Sequence, residues 1–289
     1  MNLLSRRLLH CWMLLGLCLL FGGCTRVDLA YRNLDVIIPW SMNDYLDMNR
    51  EQKSWFDERL KEHLRWHCTT QLADNLQWLD KVQRMVAEQQ VTAPALRERT
   101  AEAKQAISAI AVQVTPSAVE LLQGLDDNQV RALQQSLSDD LAKRRKEYVE
   151  PPLQTQIDER AKRMSKRLTP WFGNLTDEQQ QRVQAWSQSL GAQNREWIDN
   201  REHWQNQLLA ALQQRQSAEF PARIAQLLQQ RETVWTPQYK VAYARTEQAA
   251  IDLMVGLAAD STPEQRTRIE RKLGELREDF ANLKCLKNA

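Results

Sequence analysis

The stretch Leu175-Thr176-Asp177-Glu178-Gln179 decides the fold class, because three variants of it recur and each opens a long run of helical character. They are Met48-Asn49-Arg50-Glu51-Gln52, Leu125-Asp126-Asp127-Asn128-Gln129 and Ser261-Thr262-Pro263-Glu264-Gln265. The second residue of each, Asn49, Asp126, Thr176 or Thr262, is a good N-cap, since its side-chain oxygen can accept a bond from the amide two or three residues on. The fifth, Gln52, Gln129, Gln179 or Gln265, stands at N3 and can return a bond to the cap amide, completing a capping box. Acidic residues in the first turn suit the positive helix end, and three of the four motifs carry an apolar residue before the cap that can act as a staple. Each cap is worth about 1 kcal/mol, so starting helices is reason enough for the pattern.

The composition agrees with long helices. Of 289 residues 43% are hydrophobic and 26% charged, while Gly and Pro number only 8 and 9, so helix breaks are few and readable. The expectation is an all-α chain built as an elongated multi-helix bundle of long helical hairpins. The formal charge is +2. Setting aside Arg6 and Arg7, which fall in a segment read below as removed, leaves 39 − 2 = 37 basic against 37 acidic residues. A neutral chain has no electrostatic footprint for nucleic acid.

Residues 1–23 read as a signal peptide: Arg6 and Arg7 form a basic start and Leu8 to Phe21 an apolar run short for a membrane span. Its end, Phe21-Gly22-Gly23-Cys24, resembles the lipobox of bacterial lipoproteins, although Phe21 stands where that family usually has Leu. The resemblance implies lipidation at Cys24, and Thr25 in place of an Asp implies an outer-membrane anchor facing the periplasm. Ordinary cleavage, with Cys24 free or bridged, is the alternative.

Cys11 and Cys18 would leave with the signal and Cys24 would take lipid, so Cys68 and Cys285 remain, and an oxidising compartment suggests a disulfide between them. Cys68 lies on the apolar stripe of Leu60, Leu64, Leu72 and Leu76. Cys285, however, falls about 180° around a helix from the stripe ending at Leu283, so two independent thiols stay open.

The expected organisation is a lipidated N-terminal segment over residues 24–49 and a helical domain over 50–289, with a repeat boundary near 170. In the segment, Tyr31-Arg32-Asn33-Leu34-Asp35, the apolar pair before Trp40 and Asp44-Tyr45-Leu46-Asp47 resemble an uncharacterised family of Gram-negative lipoproteins that carry this block just after the lipidated cysteine. No activity comes with that resemblance. Asp35, Asp44 and Asp47 lack the alternation and Gly of an EF-hand, so they are expected to cap short helices while Tyr31, Trp40 and Tyr45 pack on the bundle.

Further on, a first long helix is expected from Arg50 to about Gln90 and a second from Thr92-Pro94. A short third should start at Thr115-Pro116, and a fourth should run from Asp126 to about Tyr148. A break follows at Pro151-Pro152. Helical pattern then covers Leu153 to Leu168, Thr176 to about Arg215, Ser217 to Glu232, Thr236 to Ala259 and Thr262 to Lys284. His63 and His67 are four apart, but Leu64 stands where a zinc hydrolase of the His-Glu-x-x-His type needs Glu, so they read as packed side chains. Lys143-Arg144-Arg145-Lys146 reads as a solvated helix end. Val183, Trp186, Leu190, Trp197, Trp204, Leu208 and Ala211 read as a core seam.

The opening motif is also similar to the Leu-Thr-x-x-Gln hallmark of the Spy and CpxP type of periplasmic chaperones, which carry two per subunit. Here the third motif matches fully and the others in part, at long, short and long spacings that permit an internal duplication. No catalytic residue, cofactor or metal site is expected. Three functions compete: an anchored, non-catalytic scaffold or accessory protein binding another envelope protein; a chaperone of unfolded clients; and an enzyme using His63, His67 or the early aspartates, which would require them to converge in a pocket.

Overall fold

The computed structural model describes residue 31 and residues 33–283, so Cys24 and Cys285 lie outside the described residues. Within them the chain is all-α, with no strand. The helices are α1 Leu34–Leu46, α2 Arg50–Trp66, α3 Leu72–Ala87, α4 Ala93–Gln123, α5 Asp127–Tyr148, α6 Leu153–Phe172, α7 Asp177–Leu190, α8 Gln193–Gln213, α9 Phe220–Gln229, α10 Pro237–Ala259 and α11 Pro263–Ala281. A π-helical turn, His67–Gln71, joins α2 to α3, and a 3₁₀ turn, Arg231–Val234, follows α9.

All four repeated stretches form capping boxes with both bonds present, at Asn49 and Gln52, Asp126 and Gln129, Thr176 and Gln179, and Thr262 and Gln265. The residues before three of these caps, Met48, Leu125 and Ser261, are buried.

The rod made of α2, the π turn and α3 reverses after Ala87 and runs antiparallel to α4. Three side chains tie the hairpin: Trp78 Nε1 donates to the Arg99 carbonyl at 2.9 Å, Lys81 pairs with Glu102 at 2.7 Å, and His63 Nε2 meets Ser117 Oγ at 2.9 Å. The larger core joins α1, α4, α5, α8 and α9 through Leu46, Leu121, Leu133, Leu212, Phe220 and Leu227. A second cluster joins α6, α7 and α10 through Leu168, Val183 and Leu257. The last helix, α11, lies along α3 and α6, with Arg277 paired to Asp80. Where it ends, Leu283 meets Cys68 and Leu72.

Several expected boundaries move for identifiable reasons. Thr115-Pro116 starts no helix, because Pro116 lies inside α4. Its ring and Val112, whose carbonyl loses its intrahelical partner, are both exposed, so water can take the freed acceptor. Thr115 Oγ1 instead bonds back to the Ala111 carbonyl at 2.6 Å. The pattern from Thr176 to Arg215 is broken at Gly191, whose φ of 51° ends α7 in a conformation that suits glycine. Buried Arg160 holds this break by donating to the carbonyls of Ser187 at 2.8 Å and Gly191 at 2.9 Å.

The N-terminal segment also differs from the capping scheme. Among its described residues the main element is one helix, α1. Only Asp35 sits in a first turn, Asp44 is inside the helix, and Asp47 closes it at φ 42°. Tyr31 and Tyr45 pack on the body as expected, but Trp40 is 69% exposed. Leu46 and Met48 belong to the larger core, so α1 is part of the helical body.

Candidate functional site

The four motifs do more than start helices. They meet in pairs. Gln52 Nε2 donates to Gln129 Oε1 at 3.1 Å while Gln129 Nε2 donates to Gln52 Oε1 at 2.7 Å. Gln179 and Gln265 do the same at 2.8 and 2.9 Å. Each glutamine also reaches the carbonyl two residues before the partner's cap: Gln52 to Gly124, Gln129 to Asp47, Gln179 to Asp260 and Gln265 to Asn174. The two locks therefore repeat one bonding scheme, the first and second motifs in one and the third and fourth in the other. The cap side chain and the glutamine of every motif are engaged inside the fold. Gln179 is fully buried and Gln265 nearly so, which makes these residues structural.

His63 and His67 do not converge. His63 bonds Ser117, whereas His67 Nδ1 shares a hydrogen bond with the Tyr31 hydroxyl at 3.1 Å. Burial lowers both imidazole pKa values, in His63 against the opposing pull of Glu62, so each ring is neutral at neutral pH. Among the described residues no three His, Cys, Asp or Glu side chains come together as metal ligands. Cys68, beside His67 on the π turn, is buried and disulfide-bonded.

One place with ligand-sized room and mixed chemistry is a groove of about 900 Å³ between α4, α8, the 3₁₀ turn and α10. Trp235, Tyr239 and Tyr243 form its aromatic wall. Tyr239 and Tyr243, four apart, share one face of the start of α10, and Trp235, in extended backbone just before the cap Thr236, lays its ring against both. The Trp235 ring centroid lies 5.1 Å from Tyr239 at 81° and 4.6 Å from Tyr243 at 46°. Lys104 reaches over the Tyr243 ring at 5.2 Å and pairs with Glu247 at 2.6 Å, and that bond to Glu247 chiefly holds the ammonium pKa above its ordinary value. Burial pushes the Tyr239 hydroxyl pKa up.

Opposite this wall stand Trp197 and Trp204 of α8 and Ile107 of α4. Trp204 is fixed by donating to the Leu227 carbonyl at 3.0 Å. The expected core seam on α7 and α8 is thus divided: Val183, Leu190 and Ala211 are buried, whereas Trp197 is exposed at the groove. The break at Gly191 turns α8 relative to α7, so a stripe continuous in sequence is not continuous in space. The groove also presents the amides of Gln105, Gln229 and Gln230, which make no side-chain hydrogen bond among the described residues.

Paired capping motifs and the helix packing they lock define an all-α multi-helix bundle. Over residues 44–240 the chain matches a family of unknown function (DUF6279), and it belongs to that family. The match contains the first three motifs and two residues of the aromatic wall, Trp235 and Tyr239. No curated protein and no solved structure matches the chain.

Proposed function

We propose that this protein is a lipid-anchored, non-catalytic accessory protein on the periplasmic face of an outer membrane, holding an extended segment of another envelope protein in the groove between α4, α8 and α10. The sequence Phe21-Gly22-Gly23-Cys24 supports the anchor, and the groove carries the binding role. Aromatic rings supply apolar contact at low entropic cost, while free amides on Gln105, Gln229 and Gln230 can pair the backbone of an extended chain. No cofactor is required by this reading.

A photoreactive residue at position 107 in intact envelopes should give a discrete adduct with one envelope protein. The adduct should disappear in the Trp235→Ala, Tyr239→Ala variant and be absent when the probe sits at exposed Leu153 instead. Equal labelling from both positions, or an adduct indifferent to the aromatic substitutions, would refute the reading.

The chaperone alternative is favoured by one observation, the apolar residues Ile107, Ile110, Val112 and Val241 exposed on α4 and α10. It predicts suppression of aggregation of an unfolded client near equimolar ratio. The Leu-Thr-x-x-Gln motifs lend it little support, since their glutamines are occupied by each other.

A further inference from the structure

A second cavity, sharing no lining residue with the groove, lies where the α3–α4 turn meets α6, α10 and α11. Its volume is about 520 Å³, within the ~300–1,000 Å³ usual for small-molecule sites. Met85, Met164, Met254, Trp171, Phe172 and Ile269 give it an apolar wall drawn from four helices. Methionines are unbranched and adaptable, so such a wall conforms to a flexible guest better than to a rigid one.

Two guanidiniums, Arg167 and Arg266, also line it. Neither has a carboxylate within salt-bridge distance among the described residues. Arg167 is exposed, and Arg266 donates only to the Ser261 carbonyl, with Glu264 acting on it from farther away. Arg182, by contrast, is paired with Asp260, and Arg160 is satisfied by the Ser187 and Gly191 carbonyls and Asn194 Oδ1.

The cavity offers little to a peptide. Ser261 Oγ already donates to the Leu257 carbonyl at 2.7 Å, and beyond the arginines only the Gln89 amide and the Trp171 indole N–H are left to pair a peptide backbone. A buried peptide would leave polar groups unmatched, which is costly. A guest with a long hydrocarbon tail and a single anionic end has no such deficit.

We propose that this cavity binds one long-chain fatty acid, its tail among the methionines and aromatic rings and its carboxylate held by Arg167 and Arg266. Charge-assisted bonds from guanidinium to carboxylate fix the orientation, and the tail supplies most of the affinity. The site is independent of the groove reading and stands or falls separately.

The full-length protein held in amphipol, with amphipol alone as blank, tests this by equilibrium dialysis of radiolabelled palmitate. Saturable binding of one palmitate per chain is expected. Myristate should bind about tenfold more weakly for its two missing carbons, and hexadecanol, which lacks the charge, at least about tenfold more weakly. Arg167→Gln with Arg266→Gln should lower palmitate affinity to the hexadecanol level with the circular dichroism spectrum unchanged. Met164→Trp, which fills the cavity, should abolish saturable binding. Binding no greater than the blank, hexadecanol binding equal to palmitate, or a well-folded arginine double variant that keeps full palmitate affinity would overturn the proposal.

Discussion

Gln179 and Gln265 bond each other twice, at 2.8 and 2.9 Å, across 86 residues of chain. Both are buried, and each also closes a capping box on its own helix. One amide therefore serves helix start and tertiary lock together. Removing either takes both mutual bonds from the other's amide and leaves a helix-preceding carbonyl without its glutamine donor, and that exposes the lock to mutation.

Gln179→Ala should destabilise the protein by about 2–4 kcal/mol, combining a lost cap bond with unmatched buried groups. Gln52→Ala, at a more exposed lock, should cost about 1 kcal/mol. Urea unfolding followed by circular dichroism reads both. The Gln179→Leu, Gln265→Leu double variant should be less destabilised than the sum of its singles, since the orphaned partner is gone. Strict additivity would mean that the two side chains do not act as a pair.

Arg160 is buried, and burial draws its guanidinium pKa down. It stays in place by donating to the Ser187 and Gly191 carbonyls and to Asn194 Oδ1. These acceptors lie at the break between α7 and α8. Arg160→Met should cost about 2–4 kcal/mol by leaving the carbonyls unsatisfied. Arg160→Lys should recover only part of that, because an ammonium cannot span the same fork. Thermal melts of the three proteins decide the order.

Cys68 is disulfide-bonded, and Leu283, two residues before Cys285, packs against it. We expect the bond to join Cys68 to Cys285, closing 285 − 68 = 217 residues and stabilising by about 4–5 kcal/mol in the chain-entropy model. Reduction or Cys285→Ser should lower the melting temperature by several degrees, more steeply than Cys24→Ser. Peptide mapping of unreduced protein should give a linked 68–285 fragment, and free thiols at both positions would reject the pairing.

His63 and His67 have pKa values below the ordinary imidazole value of about 6.5 because burial disfavours the charged ring. The unfolded chain therefore binds more protons than the folded one once pH falls below that value. Stability should be full above about pH 7, fall as pH drops through 6.5, and level off below the folded-state values. His67→Asn should flatten this slope while keeping a partner for the Tyr31 hydroxyl. A stability profile flat from pH 7 to 5 in the parent protein would contradict it.

The helix starts were written locally. Asn49, Asp126, Thr176 and Thr262 with their N3 glutamines need only neighbours within four residues, so capping chemistry could be read from the chain, and the all-α class followed from scarce glycine and proline. Pro116 misled because a helix tolerates proline when the freed carbonyl faces water, and exposure is a tertiary property. Tyr239 and Tyr243 stand at helical spacing, but what they and Trp235 face depends on α4 and α8, which come from remote sequence.

What the sequence determined by itself, then, was the all-α class and the helix caps, which rest on short-range bonds and composition. The tertiary structure alone decided that the four capping glutamines pair two by two, that α8 turns away after Gly191 to leave Trp197 at a groove, and that Arg167 and Arg266 share an apolar cavity. Those relationships join residues tens of positions apart, and local propensity carries no information about which distant helix will supply a partner.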